Sequence, residues 1–249
     1  MVTTITPYEV TWEELPDDFV LDDDPVDNIN QPSIAAALTE SLELANYLSA
    51  NALAITNYGI CATLNHRIVV KAPDWGYVPS ISVPRAQVNR SYTPHLQGEI
   101  PVVVMEFLSD TERSEYSVKP TYPPGKWLFY EQILQIPNYV IFEPGTGSLE
   151  VYRLDEMKRY QIQAPTPENR YWLAEMNLFL GVWQGTREHR TGYWLRWWNE
   201  MGELLLWGSE RAEQERQRAE QERQRAEQER QRAERLAAQL RAAGIEPEA

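Results

Sequence analysis

Cysteine is almost absent from this chain. The single Cys61 in 249 residues excludes an internal disulfide and any cysteine cage for zinc. Histidine is scarce too. His66, His95 and His189 show no metal-ligand spacing, and each reads as an ordinary surface or packing residue. No apolar run reaches the roughly 18 residues a membrane span needs. The opening Met1-Val2-Thr3-Thr4-Ile5-Thr6-Pro7 lacks the basic region and apolar block of a secretory signal, so the expected location is cytoplasmic. There is no phosphate-binding glycine loop, no nucleotide-cofactor fingerprint and no Ser–His–Asp arrangement. Positive charge is also in deficit: 23 Lys and Arg face 37 Asp and Glu, for a net charge of −14. That balance opposes tight non-specific binding of nucleic acid, which needs a basic footprint. A local basic track or metal-bridged binding stays open.

What is present is a globular composition, with 43% apolar and 11% aromatic residues. Residues 1–32 form an acidic N-terminal segment. Asp17, Asp18, Asp22, Asp23, Asp24 and Asp27 crowd it, and like charges so dense mark a solvated stretch. The glycine and terminal glutamate of an EF-hand are missing there, which discounts a calcium loop. Residues 33–208 carry the alternating and helical apolar patterns of an α/β domain. Residues 209–249 are a charged helical tail.

Within the domain, Ser33 is the expected cap of a helix running to about Ser49, with Ile34, Leu38, Leu42, Ala45 and Leu48 on its apolar face and Glu40 and Glu43 solvated. Strands are expected through residues 53–70. Tyr77–Val83 reads as an edge or irregular strand because of Pro79 and Pro84. Residues 84–99 read as a polar loop and 100–108 as a buried strand. Residues 109–125 form a loop suited to gate a long substrate. Lys126–Gln135 is a short helix, and strands follow over 138–142, 149–154 and 159–163. Tyr193–Trp198 and Glu203–Trp207, flanking Asn199-Glu200-Met201-Gly202, read as a β-hairpin. Its tryptophans Trp194, Trp197, Trp198 and Trp207 suit base stacking but fit hairpin packing better, with Arg196 the one nearby group able to hold a phosphate.

The tail is a strict heptad repeat. Arg211-Ala212-Glu213-Gln214-Glu215-Arg216-Gln217 recurs from Arg218 and from Arg225, and Arg232 starts a fourth copy. The residues favour helix, and Glu213–Arg216 and Arg211–Glu215 pairs sit one turn apart. The helix should span Ser209 to Ala243 and stop at Gly244 before Pro247. Only Ala212, Ala219, Ala226 and Ala233 fill a coiled-coil seam until Leu236 and Leu240, so a solvated single helix and a thin coiled coil are equal readings. Self-association or a protein partner through residues 209–243 follows from the second.

Chemistry points to three residues. Asp74 lies in Ala72-Pro73-Asp74-Trp75, Glu106 ends the apolar run from Ile100, and Lys126 opens Gly125-Lys126-Trp127-Leu128-Phe129-Tyr130-Glu131. Carboxylates are hard oxygen ligands for Mg²⁺ or Mn²⁺, and such a metal is a Lewis acid that also acidifies water. A lysine beside them can orient that water or offset charge on a phosphate. A chain this acidic contains such trios by chance. Placement singles this one out, because a charge at the end of a buried strand needs a partner or a metal.

These segments, together with Met105-Glu106-Phe107-Leu108-Ser109 and Ile136-Pro137-Asn138-Tyr139-Val140-Ile141-Phe142-Glu143-Pro144, resemble the Uma-two restriction endonuclease family within the PD-(D/E)xK nuclease superfamily. The Trp194-Leu195-Arg196-Trp197-Trp198 segment and the tail resemble a subgroup of it, so the likeness runs over about residues 30–235. The resemblance implies a restriction-endonuclease-like α/β fold, a mixed central sheet flanked by helices. It implies Asp74 and Glu106 as metal ligands, and Lys126 as a lysine moved to the following helix from the usual position, which is Leu108 here. Tyr130, one turn after Lys126, resembles a tyrosine that supports such sites; core packing is an equal reading of it.

Two functions from different classes follow. One is a Mg²⁺-dependent endonuclease acting on DNA, with hydrolysis of another phosphodiester as a variant of it. The other is a non-catalytic interaction or scaffold protein on the same fold, working through its C-terminal helix.

Overall fold

A computed structural model describes residues 8–21, 29–108 and 122–243. The chain divides into two compact units, Met1–Leu205 and Leu206–Ala249. The first is built on a six-stranded mixed sheet in the order β2-β5-β6-β7-β8-β9, made of β2 (Leu53–Ile55), β5 (Trp75–Val78), β6 (Val103–Phe107), β7 (Asn138–Glu143), β8 (Ser148–Leu154) and β9 (Tyr160–Ile162). Every pairing is antiparallel except β6 with β7, which is parallel. Two smaller sheets accompany it. One joins β1 (Val10–Thr11), β3 (Ile60–Leu64) and β4 (Arg67–Lys71) in the order β1-β3-β4; the other is β10 (Arg170–Leu173), β11 (Leu178–Arg187) and β12 (Arg190–Trp198).

The central strand β6 is apolar at every position but one, and all five of its residues are buried. Side chains alternate across a sheet, so Val104 and Glu106 share one face while Met105 and Phe107 share the other. The second face takes helix α1 (Asn30–Leu44). Trp75, opposite Met105 in the register, donates its indole N–H to Thr39 Oγ1 at 2.9 Å. The first face takes the short helix α2 (Lys126–Leu128), which continues as a π-helical turn over Phe129–Leu134. Phe129, Tyr130, Ile133 and Leu134 join Val104, Tyr139 and Ile141 in one buried cluster. This is a mixed sheet flanked by helices, the α/β architecture expected of the chain.

Helix α1 starts at Asn30, so Ser33 lies inside it and is not its cap. Pro32 falls in the first turn, where a missing N–H forfeits no intrahelical bond. The end also comes early. Asn46 turns left-handed (φ 60°), the Tyr47 N–H reaches Leu42 O at 2.9 Å and the Asn46 N–H reaches Glu43 O at 3.0 Å. That paired closure is a Schellman motif built on asparagine. It leaves Ala45 exposed rather than on the apolar face. Glu40 is paired with Arg187 at 2.8 Å, not simply solvated. Strand β5 stops before Pro79 and stands second in the sheet, an interior place, because the prolines fall beyond its ladder.

The hairpin expected across Asn199–Gly202 forms only as a short antiparallel turn, and a longer hairpin precedes it. Strand β12 pairs along its length with β11 through a two-residue turn, Glu188-His189, both with positive φ (51° and 63°). Residues 203–205 fold back on the end of β12: Trp198 bridges Leu204, the Asn199 N–H reaches Glu203 O and the Leu205 N–H reaches Trp197 O, each at 2.9 Å. Trp194, Trp197 and Trp198 are buried. Arg196, 1% exposed, gives its guanidinium to Leu205 O and lies over Trp183. Packing, not base or phosphate contact, occupies them.

In the second unit, α3 runs Gly208–Ala242. Glu210 accepts the Trp207 backbone N–H at 2.9 Å. Ion pairs recur at Glu213–Arg216, Glu220–Arg223 and Glu227–Arg230, with Arg211–Glu215 at the start. Leu236 and Leu240 are exposed. Asp22, Asp23, Asp24, Asp27, residues 109–121 of the expected gating loop, Gly244 and Pro247 lie outside the described residues.

Candidate active site

Glu106 is a buried carboxylate on the central strand of the sheet. An ion so placed is costly unless cations and donors surround it. Lys126, the first residue of α2, brings its Nζ to 2.8 Å from Glu106 Oε2. Tyr130, one helical turn on, donates its hydroxyl to Glu106 Oε1 at 3.0 Å. One face of a short helix thus supplies both partners, as positions four apart must. Lys126 keeps 23% of its side chain exposed while Glu106 keeps 1%, so the pair reaches from the core toward the surface.

Asp74 precedes β5. The β5–β6 register pairs Trp75 with Met105 and Gly76 with Val104. Carried one step further it sets Asp74 opposite Glu106, and opposed residues share a face of the sheet. Asp74 Oδ2 accepts the backbone N–H of Phe107 at 2.5 Å. Tyr130 senses both acids: its hydroxyl is held well above the usual tyrosine value, first by burial, then by the adjacent Glu106, with Asp74 adding to the effect. Tyr130 therefore stays protonated and remains a donor at neutral pH. All four residues singled out in the sequence come together around this end of β6.

Gln31 joins this cluster from α1. It sits in the first turn of α1, is 9% exposed, and donates its amide N–H to Phe107 O at 2.6 Å. The backbone of Phe107, the residue after Glu106, is thus held at both ends, its N–H by Asp74 and its carbonyl by Gln31. A polar residue two places before Ser33 carries no signal of this in a linear pattern. Leu108, where a lysine would be usual, is half-buried against the apolar cluster, and its N–H joins Phe142 O.

A second buried carboxylate, Glu131, is the neighbour of Tyr130 in sequence and serves differently. It accepts from Gln132 Nε2, the Tyr160 backbone N–H, Arg159 Nη1 and Trp127 Nε1 at 2.8 to 3.3 Å. These bonds tie the helical segment to β9.

The donor set suits a hard divalent cation. Asp74 and Glu106 offer carboxylate oxygens, the ligand type Mg²⁺ and Mn²⁺ prefer, and Mg²⁺ commonly keeps waters and substrate phosphate oxygens in its other positions. It is not a closed cage: no group of three or more His, Cys, Asp or Glu able to hold a metal occurs among the described residues. No helix among them is long and apolar enough to cross a membrane.

Compared with known families, residues 14–186 match the model of the family Uma2, described as "Putative restriction endonuclease". The match spans more than half of the chain and takes in Gln31, Asp74, Glu106, Lys126 and Tyr130. It stops short of β12 and the tail, which the motif resemblance had included. No curated protein matches the chain.

Proposed function

The chain belongs to the Uma2 family, and from that premise we propose that it is a divalent-metal-dependent endonuclease that hydrolyses DNA phosphodiester bonds. The observation that carries the reading is the meeting of Lys126 and Tyr130 on one fully buried carboxylate, Glu106, opposite Asp74. A purely structural role would not require an acid at the centre of the sheet, where an apolar residue of similar size packs at no electrostatic cost.

In this reading Asp74 and Glu106 hold Mg²⁺ or Mn²⁺, which when bound supplies Lewis acidity toward the phosphate. Tyr130 fixes the Glu106 carboxylate through Oε1 and leaves its other oxygen to Lys126. Asp74 is held by the Phe107 N–H, so both acids are anchored to the same stretch of β6. Lys126, the partly exposed member, orients the attacking water and offsets negative charge growing on the phosphate oxygens. Water attacks phosphorus in line, and the bond to the opposite ester oxygen breaks. Metal-bridged contact with the phosphate also reconciles a DNA substrate with a chain of net charge −14.

The test is nicking of supercoiled plasmid in Mg²⁺ and Mn²⁺ by the wild type, Glu106→Ala and Lys126→Ala. We expect metal-dependent nicking by the wild type and its loss in both variants. Nicking that survives in Glu106→Ala would remove the chemistry from this site. A wild type that neither nicks nor gains thermal stability from Mn²⁺ would favour the scaffold reading, for which the exposed Leu236 and Leu240 of α3 are the relevant observation.

A further inference from the structure

The ion pair between Lys126 and Glu106 has a consequence for metal affinity. Lys126 Nζ lies 2.8 Å from Glu106 Oε2, so an ammonium already occupies the coordination space of one of the two acids. Without a metal, this ammonium is a counter-charge that helps to make a buried carboxylate tolerable. Counting Asp74, Glu106 and Lys126 by themselves, two carboxylates and one ammonium give a formal charge of minus one. A divalent cation added beside Lys126 turns that into plus one, with two cations sharing one carboxylate in a poorly solvated place. A phosphodiester monoanion brings the sum back to zero.

We propose that Lys126 is a built-in competitor for the metal at Glu106, which keeps metal affinity low until a phosphodiester enters. The proposal rests on the metal-dependent reading of the site given above. Geometry supports it twice. Lys126 is the only member of the Glu106–Lys126–Tyr130 set with appreciable exposure, so it can withdraw toward solvent or toward an arriving phosphate while Glu106 stays fixed. Tyr130 holds the other carboxylate oxygen independently, so the acid keeps its orientation when the ammonium moves. Site and substrate are then thermodynamically coupled: whatever a phosphodiester does for metal binding, the metal does equally for phosphodiester binding.

The test measures Mn²⁺ affinity by calorimetric titration and by the electron paramagnetic resonance signal of free Mn²⁺, without DNA. The proteins are the wild type, Lys126→Met, Lys126→Gln and Lys126→Arg, with Glu106→Gln as the control for the site. Removing the charge should tighten Mn²⁺ binding about tenfold or more, given the Coulomb energies of close charges at protein-like dielectric. Lys126→Arg should bind as the wild type does. Lys126→Gln keeps a donor for Glu106, so the measurement survives if Lys126→Met does not fold. Millimolar dimethyl phosphate, which has no base to recognise, should raise Mn²⁺ affinity in the wild type and leave Lys126→Gln unchanged.

Equal or weaker Mn²⁺ binding in both uncharged variants would overturn the competition. Tighter binding without any dimethyl phosphate effect would overturn the coupling to substrate and leave the competition standing. If no protein binds Mn²⁺, or if Glu106→Gln binds it as the wild type does, the metal reading of this site falls and takes the inference with it.

Discussion

Glu106 and Lys126 make one ion pair with its acid sealed inside the sheet. Helix α3 makes a ladder of them, with partners 46% to 79% exposed. The chemistry is the same and the physical meaning is opposite. In the tail, water and salt screen each pair, and the bridges serve helicity. In the sheet, the acid is shielded from water and salt, so the pair constrains what else can occupy that space. Glu131 gives the contrast within the body. It is also buried, yet its donors come from both the helical segment and the start of β9, and its task is to join them.

The largest effect that would sharpen this comparison is on rate. Glu106→Ala should lower metal-dependent cleavage by about a thousandfold or more, the scale seen when a principal electrostatic contribution to a transition state is lost; timed plasmid nicking measures it. Glu131→Ala should do the reverse, keeping the Mn²⁺ response while destabilising the fold by about 3 kcal/mol, since it leaves buried donors unsatisfied. Denaturant unfolding with and without Mn²⁺ separates the two, and a Glu131→Ala protein of normal stability would break the distinction. Gln31→Ala should come next, costing about 1 kcal/mol of stability and weakening Mn²⁺ binding by freeing the Phe107 peptide. Gln31→Glu should not rescue it, because a carboxylate cannot donate to a carbonyl.

A further effect appears at alkaline pH. Burial pushes Tyr58 up to about 12, holds Tyr130 and Tyr160 well above the usual tyrosine value, and raises the Cys61 thiol. Each folded value lies above its unfolded one. Their contribution is therefore fully present at neutral pH, starts to decline above about 9 to 10 where unfolded thiols and phenols ionise, and is lost as pH rises through the folded values. The melting temperature should be level near neutrality and fall steeply from about pH 10; a level profile up to pH 11.5 would contradict these burials. The smallest effect belongs to the tail. Glu213, Glu220 and Glu227 changed together to Gln should lower helicity slightly, and less so at high salt, by circular dichroism, with no change in cleavage.

Much of the cluster around Glu106 was legible in the linear sequence, for a physical reason. An acid that closes an apolar run as uninterrupted as Val102–Met105 has few ways to be tolerated, and Lys126 with Tyr130 four residues later is one of them. The helical tail was equally plain, since its i to i+3 pairs are local. What escaped depended on contacts distant in sequence or on unusual turn residues. Asn199–Gly202 looks like a hairpin turn, while Glu188-His189 lacks the asparagine and glycine that normally accept positive φ. The longer hairpin was therefore hidden by its own turn chemistry. Gln31 finds its partner 76 positions away, and no short-range pattern reports that.

The π-helical turn over Phe129–Leu134 gives this site an unusual sensitivity to length. Such a turn carries more residues than the α-helical turn it replaces. It therefore sets the phase between the residues that face Glu106 and those that anchor the segment, Ile133 and Leu134. Loss of one codon within it, with the winding otherwise kept, would rotate Lys126 and Tyr130 by one residue's step, about 100° in an α-helix, against those anchors. In such a protein each carboxylate would remain intact and the composition would be almost unaltered, yet the ammonium and the hydroxyl would face elsewhere. Natural variants differing by one residue here are thus a place to look for loss of activity that no substitution in the acids would reveal.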